Sequence, residues 1–227
     1  MTTNVDISNR ALALVSTRTT IASMGDNTNE AIQCNLVYNA IQDFCFTLTG
    51  WNFARKTASL ALGKTFTGAP WTVAQPTPPW QFQYVLPADY LKAQYITNND
   101  IAAGGGFLGE SKRFAIVYDG TVVALATNET AANLVYTSRI SDPTVWAPWF
   151  ERTVVSALAF SVANALNGKK ELVQFLLENF INTAKLAADI NRREGIIGLE
   201  DATAELLQLR GIEYPPHPPV VRPRDGQ

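Results

Sequence analysis

Between positions 153 and 166 the chain carries no charged side chain. Phe150, Val154, Leu158, Val162 and Ala165 recur at helical spacing on one face, and the small apolar Val155, Ala159 and Ala163 fill the opposite one. A helix that is apolar on both faces must be surrounded by protein. The run is too short to span a bilayer, so other parts of the chain have to enclose it. What leads into it is equally constrained. Residues 133–139 read as a strand, and two proline breaks follow. Asp142-Pro143 caps one short turn, and Pro148 suits the first position of a new helix, where a missing N–H costs nothing. Residues 140–150 are therefore a return point between a β-rich stretch and a helical one. Trp146, Trp149 and Phe150 set the angle between the two as a hinge or anchor, and read either as plain core or, in part, as the lining of a subunit interface, where Trp is enriched.

Partners for the buried helix lie at both ends of the sequence. Ile7, Ala11, Leu14 and Val15 predict a short helix capped by Asp6 or Ser8. Residues 16–27 form a polar linker containing Gly25. Asn27 with Glu30 reads as a capping box for a second helix, whose stripe is Val37, Ile41, Phe44 and Leu48 and which Gly50 ends. Cys34 and Cys45 lie on one face of it, about 16 Å apart along the axis. That is beyond disulfide reach, so they are small core residues. After the buried helix, Asn167-Gly168 stops the chain. Leu172, Phe175, Leu176, Phe180, Leu186 and Ile190 then mark a long helix ending near Gly195, which completes a helical hairpin. Residues 200–209 add a last short helix.

The middle of the chain has strand periodicity. Residues 54–62 alternate, and Trp51 and Phe53 just before them pin the second helix to a neighbour. Five of the 12 prolines fall between Pro70 and Pro87, so residues 65–79 are loop. Residues 80–86 and 90–96 are strands on either side of Pro87-Ala88-Asp89. Phe114-Ala115-Ile116-Val117-Tyr118 and Val122-Val123-Ala124-Leu125 flank Asp119-Gly120, the signature of a tight hairpin. With residues 133–139 this predicts one antiparallel sheet of about five strands. The fold class is α+β: a helical core of long antiparallel helices from both sequence ends, with an inserted antiparallel β-rich domain. Its expected parts are a helical core (1–55 and 140–211), an inserted β-rich domain (56–139) and a C-terminal arm (212–227). The arm holds five prolines within ten residues, which dictates an extended polyproline-like form.

Few residues are typed for chemistry. Gly104-Gly105-Gly106-Phe107-Leu108-Gly109 matches GxGxxG, but a strand follows where a phosphate site needs a helix N-terminus. It reads as a mobile loop tip on a β-hairpin, which in an assembly protein can still contact a neighbour. His217 is the single histidine and lies in the arm, so histidine triads and multi-histidine metal sites have little to draw on. Aspartates such as Asp89 and Asp119 sit at turns, which their side chains favour. No catalytic constellation, cofactor motif or metal set emerges. With a net charge of -2 there is no global basic surface for nucleic acid. The basic clusters are Arg192-Arg193 and Arg222/Arg224. Residues 1–6 lack a basic and apolar leader pattern, so a soluble protein of a reducing compartment is expected.

Several of these signatures, in this order and spacing, resemble the tail tubular protein A family of short-tailed, podovirus-like bacteriophages, related to head-to-tail adaptors. They are Trp51-Asn52-Phe53-Ala54, Tyr84-Val85-Leu86-Pro87-Ala88-Asp89-Tyr90, the Asp119-Gly120 hairpin, and Tyr136-Thr137-Ser138-Arg139 with Asp142-Pro143, Trp146 and Phe150. The resemblance covers residues 5–193. It implies a non-enzymatic virion protein of the tail, assembled in the host cytoplasm, with no cofactor and no membrane. It implies a homo-oligomeric ring of twelve subunits under the portal protein, carrying the distal tail-tube (nozzle) protein, and in some relatives a tail fibre. DNA would pass through its lumen during ejection without sequence-specific binding. Ring-interface candidates are Trp146, Trp149, Phe150, Gly104, Phe107, Arg192, Arg193, Tyr214, His217, Arg222 and Arg224. The proline-rich end and the glycine-rich loop depart from the family. The alternative is a soluble, non-enzymatic binding domain that recognises a ligand or host surface through its β-unit.

Overall fold

The computed structural model describes residues 2–15, 19–68, 72, 74–97 and 112–194. Among them are four α-helices and two antiparallel β-sheets. The sequence-predicted glycine-rich loop, the last short helix and the arm lie outside the described residues.

Helix α1 (Asn4–Leu14) begins at Thr3, which accepts from the Asp6 N–H while Asp6 accepts from the Thr3 N–H at 2.8 Å. Asp6 is thus the second half of a capping box, not the cap. Helix α2 (Asn29–Leu48) starts at Thr28, whose Oγ1 accepts from the Ala31 N–H at 3.3 Å, one position beyond the expected Asn27. Its buried residues are Ala31, Cys34, Tyr38, Gln42, Cys45 and Phe46. The expected stripe lies to one side of these, with Phe44 and Leu48 exposed. The buried side of α2 packs on α3 (Pro148–Leu166).

Pro148 occupies the first turn of α3, and residues 153–159 are all buried. The polar members of that run are satisfied within the helix. Thr153 and Ser156 donate to the Trp149 and Arg152 carbonyls at 2.8 and 2.6 Å. Asn167 ends α3 and donates to the Val15 carbonyl at the end of α1. Gly168 then takes φ 66°, a left-handed turn that glycine makes without strain. Helix α4 (Lys170–Glu194) buries Leu176, Thr183, Ala187 and Asn191, whereas Phe175 and Leu186 of the expected stripe are exposed.

The strands are β1 (Arg55–Ser59), β2 (Leu62–Thr65), β3 (Phe82–Val85), β4 (Tyr90–Thr97), β5 (Phe114–Tyr118), β6 (Val123–Thr127) and β7 (Asn133–Ser138). They form two sheets, β1-β7-β4 and β2-β3-β6-β5, and not the single five-stranded sheet expected from the pattern. The alternating run after Ala54 splits into β1 and β2, which join different sheets. Period-two alternation reveals a strand but not its partner. Tyr84 and Leu125 from one sheet and Ile96, Leu134 and Tyr136 from the other make one apolar cluster.

The β5–β6 connection is also longer than a two-residue turn. Tyr118 pairs with Val123, leaving Asp119-Gly120-Thr121-Val122 as the loop. Asp119 Oδ1 accepts from the Thr121 and Val122 N–H groups at 2.9 Å each, and Gly120 adopts φ 91°. The other carboxylate oxygen meets Lys64 at 2.9 Å and the Gln83 amide at 2.9 Å. The Lys64 ammonium, followed by the two loop N–H groups, holds the Asp119 pKa well below its ordinary 3.8. A carboxylate whose pKa folding lowers adds stability that is complete above its unfolded value and is lost as pH falls below it. In an NMR titration of the folded protein, Asp119 is expected to stay charged where an ordinary aspartate is half protonated. Lys64→Met should move its midpoint up toward 3.8.

Candidate subunit interface

The return stretch ends in an aromatic node. Phe150 stacks near Phe46 with ring centroids 4.4 Å apart. Trp51, Phe53 and Trp146 surround it at 5.1, 5.2 and 5.1 Å. Both indoles are tied down: Trp51 Nε1 donates to the Cys45 carbonyl and Trp146 Nε1 to the Ile140 carbonyl, each at 2.9 Å. The Ile140 carbonyl also accepts from Gln42 at 3.0 Å. Arg139 Nε donates to Asp43 at 2.8 Å, and Ser138 Oγ to the Ala54 carbonyl at 3.0 Å. The end of β7 is therefore bonded to α2 and to the chain that follows α2. That describes an anchor, not a hinge.

This geometry redistributes the aromatic interface candidates. Trp146 and Phe150 are 6% and 0% exposed and belong to the core. Trp149 is only partly buried and keeps surface that a neighbour can touch. Arg192 and Arg193 are exposed on the last turn of α4. Gly104, Phe107, Tyr214, His217, Arg222 and Arg224 lie outside the described residues.

The exposed surface adds two residues that periodicity did not select. On α2, Ile32 and Leu36 are 52% and 75% exposed, beside the exposed neutral Asn35, Asn39 and Ala40. The signal was legible: Glu30 and Asp43 are the only charged residues in the 20 of α2. A solvated helix face ordinarily carries charge, and depletion of charge marks the centre of protein interfaces. On α4, Phe175 and Leu186 are also exposed, on one side of the helix and about three turns apart.

Clefts open on the described surface. One, of about 290 Å³, is lined by Asn4, Asn39, Gln42, Asp43, Arg139 and Ser141. Its guanidinium is engaged by Asp43. Another, of about 440 Å³, includes Trp80, Lys112, Arg113 and Glu129. Among the described residues no group of three His, Cys, Asp or Glu side chains is placed to hold a metal. No helix there is long and apolar enough to cross a membrane.

Cys34 and Cys45 are both buried and free. Burial pushes their thiols up to about 11 and about 12. Since the thiolate is the reactive form, neither should react with a soluble disulfide reagent at pH 8 until the chain unfolds. Stoichiometric release of the reagent's chromophore, with and without denaturant, checks this.

No protein-family model matches the chain, and no curated protein matches it.

Proposed function

We propose that the chain is a structural subunit of a homo-oligomeric ring, the adaptor between portal and distal tail of a short-tailed phage. In this reading residues 1–55 and 140–211 form the helical core, residues 56–139 are its β-rich insertion, and residues 212–227 are an arm. The ring of twelve passes DNA during ejection and offers a platform to the nozzle protein and to a fibre. The order and spacing of the motifs that resemble the tail tubular protein A family support it. The observation that carries it is the outer face of α2, where Ile32 and Leu36 stand exposed without a charged neighbour on that face between Glu30 and Asp43. Head-to-tail closure needs two different surfaces on each subunit. In this reading the outer face of α2 and the exposed side of α4 that carries Phe175 and Leu186 serve as the two surfaces.

Negative-stain micrographs of the purified protein, alone and with the portal protein from the same genome, test this. Rings are expected for the natural sequence. Leu36→Glu should lose them while its folding stability stays within about 0.5 kcal/mol, as befits an exposed position. A natural protein that remains monomeric with portal present would overturn the reading. The second reading, a soluble binding domain, is favoured by the cleft that sets Trp80 beside Lys112 and Arg113. It requires a monomer in the same micrographs and retention of a ligand that Trp80→Ala abolishes.

A further inference from the structure

We infer that the free edge of β5 pairs with the β5 of a second copy of this chain, antiparallel and about a two-fold axis at Ile116. The inference does not rest on the ring reading, because a two-fold edge contact closes at two copies and is distinct from any head-to-tail contact.

The direction of the backbone groups comes first. The Arg113 carbonyl accepts from Thr127 Oγ1, and the Asp119 N–H donates to the Val122 carbonyl, so both point toward β6. Along a strand of an antiparallel sheet, N–H and C=O alternate between the two sides. Phe114, Ile116 and Tyr118 therefore aim theirs away from β6. Among the described residues β5 has β6 as its one strand neighbour. The open edge starts at Phe114, because the preceding Lys112 N–H is taken by the Ile96 carbonyl at 3.2 Å.

Such a row of unpaired groups is matched by an extended backbone, and proteins normally blunt it with charge or bulges. The other three sheet edges are blunted in this way. Strand β1 opens with the exposed Arg55 and Lys56, β2 shifts register between Leu62 and Lys64, and β4 shifts twice and carries Lys92. Strand β5 pairs regularly with β6 at all five positions and holds no charge, proline or glycine.

The sequence of β5 specifies the partner. Phe-Ala-Ile-Val-Tyr is nearly symmetric about its centre. In an antiparallel self-pair centred on Ile116, Phe114 lies opposite Tyr118 and Ala115 opposite Val117. Every pair is apolar, and the two aromatic pairs share one face with Ile116. The outward groups then form reciprocal bonds at the 114–118, 116–116 and 118–114 positions, the hydrogen-bonded pairs of an antiparallel ladder. Tyr118 and Ile116 are 68% and 40% exposed, so this pairing removes apolar surface from water. The C-terminal arm is a poor alternative occupant: Pro215, Pro216, Pro218, Pro219 and Pro223 lack the N–H groups that a ladder requires.

Two measurements on the full chain decide it. Ile116→Cys puts a single reactive thiol at the proposed axis, the two natural cysteines being buried. A short bismaleimide is expected to convert this variant to a covalent dimer, and to leave Thr57→Cys, on the exposed edge strand β1, uncoupled. Sedimentation velocity of Leu36→Glu, in which the proposed head-to-tail contact is removed, should show a concentration-dependent dimer, lost when Tyr118→Lys is added at the same concentration. Circular dichroism checks that this exposed substitution leaves the fold unchanged. A Leu36→Glu protein that sediments as a monomer up to its solubility limit, or a dimer that survives the added Tyr118→Lys, would overturn the inference. So would coupling at position 57 with none at 116. Should Tyr118→Lys misfold, coupling at 116 against 57 still decides. Rings that persist when 116 fails to couple would retain the proposed function and reject this contact alone.

Discussion

Phe150→Ala should lower the urea midpoint of unfolding by the equivalent of about 4 kcal/mol, the range for removing a fully enclosed aromatic side chain. Phe150 has no exposed surface and touches four aromatic rings from three parts of the chain: Phe46 of α2, Trp51 and Phe53 just after it, and Trp146 before α3. The edge-to-face contacts with Trp51 and Trp146, at 74° and 85°, each add about 0.5–1.5 kcal/mol beyond area. Both tryptophans are held by indole hydrogen bonds, so the cavity cannot collapse freely and the cost stays high. Trp149→Ala is the control. Read from sequence as a core residue, it would cost about 3 kcal/mol. Its partial exposure puts it well below Phe150. Chemical denaturation of both variants, with an unchanged slope, checks the pair. Equal losses would mean that Trp149 shares the core.

The second large effect concerns a single amide. Asn191, buried near the end of α4, accepts from the Asn52 N–H at 2.8 Å and donates to the Gly50 carbonyl at 3.0 Å. Asn52 in turn donates to the Asn191 carbonyl at 2.6 Å. With the Phe44–Phe180 contact at 6.2 Å, this fastens α4 to α2 and to the residues that follow it. Asn191→Ala leaves the Gly50 carbonyl and the Asn52 N–H without these partners and should cost about 2 kcal/mol. The loss is local, so amide exchange in the last turns of α4 should accelerate while that of α3 changes little. Uniform acceleration in both helices would contradict this.

Elements whose signal is local were readable in advance. Pro148 at the start of α3, Asp142 capping the turn at Pro143–Val145, and Gly168 after α3 follow from backbone chemistry, and each is observed. The enclosure of α3 followed from its having two apolar faces. What failed did so for a tertiary reason. Phe44, Phe175 and Leu186 were placed inside because they are large, apolar and regularly spaced. They are outside because α2 and α4 bury other faces, carrying Ala31, Cys34 and Phe46 on the one and Leu176 and Ala187 on the other. The cap positions shifted to Thr3 and Thr28 because several nearby polar side chains can cap a helix and the chain's entry path selects one. Of the interface candidates, Trp146 and Phe150 were chosen by residue type, and type alone does not separate a core aromatic from a surface one. The charge-poor face of α2 was visible as composition, but its exposure was not.

The amino-acid sequence by itself determined that helices flank a β-rich middle, where two prolines turn the chain from strand to helix, and that one helix has to be enclosed. Those are consequences of local conformational preference and of the period of apolar residues. Only the tertiary structure decided that the strands divide into two sheets, that the return stretch is an anchor bonded through the Ile140 carbonyl, and which apolar residues are left at the surface. Each of those depends on pairings between residues distant in sequence, where several partners satisfy the same local pattern and packing selects among them.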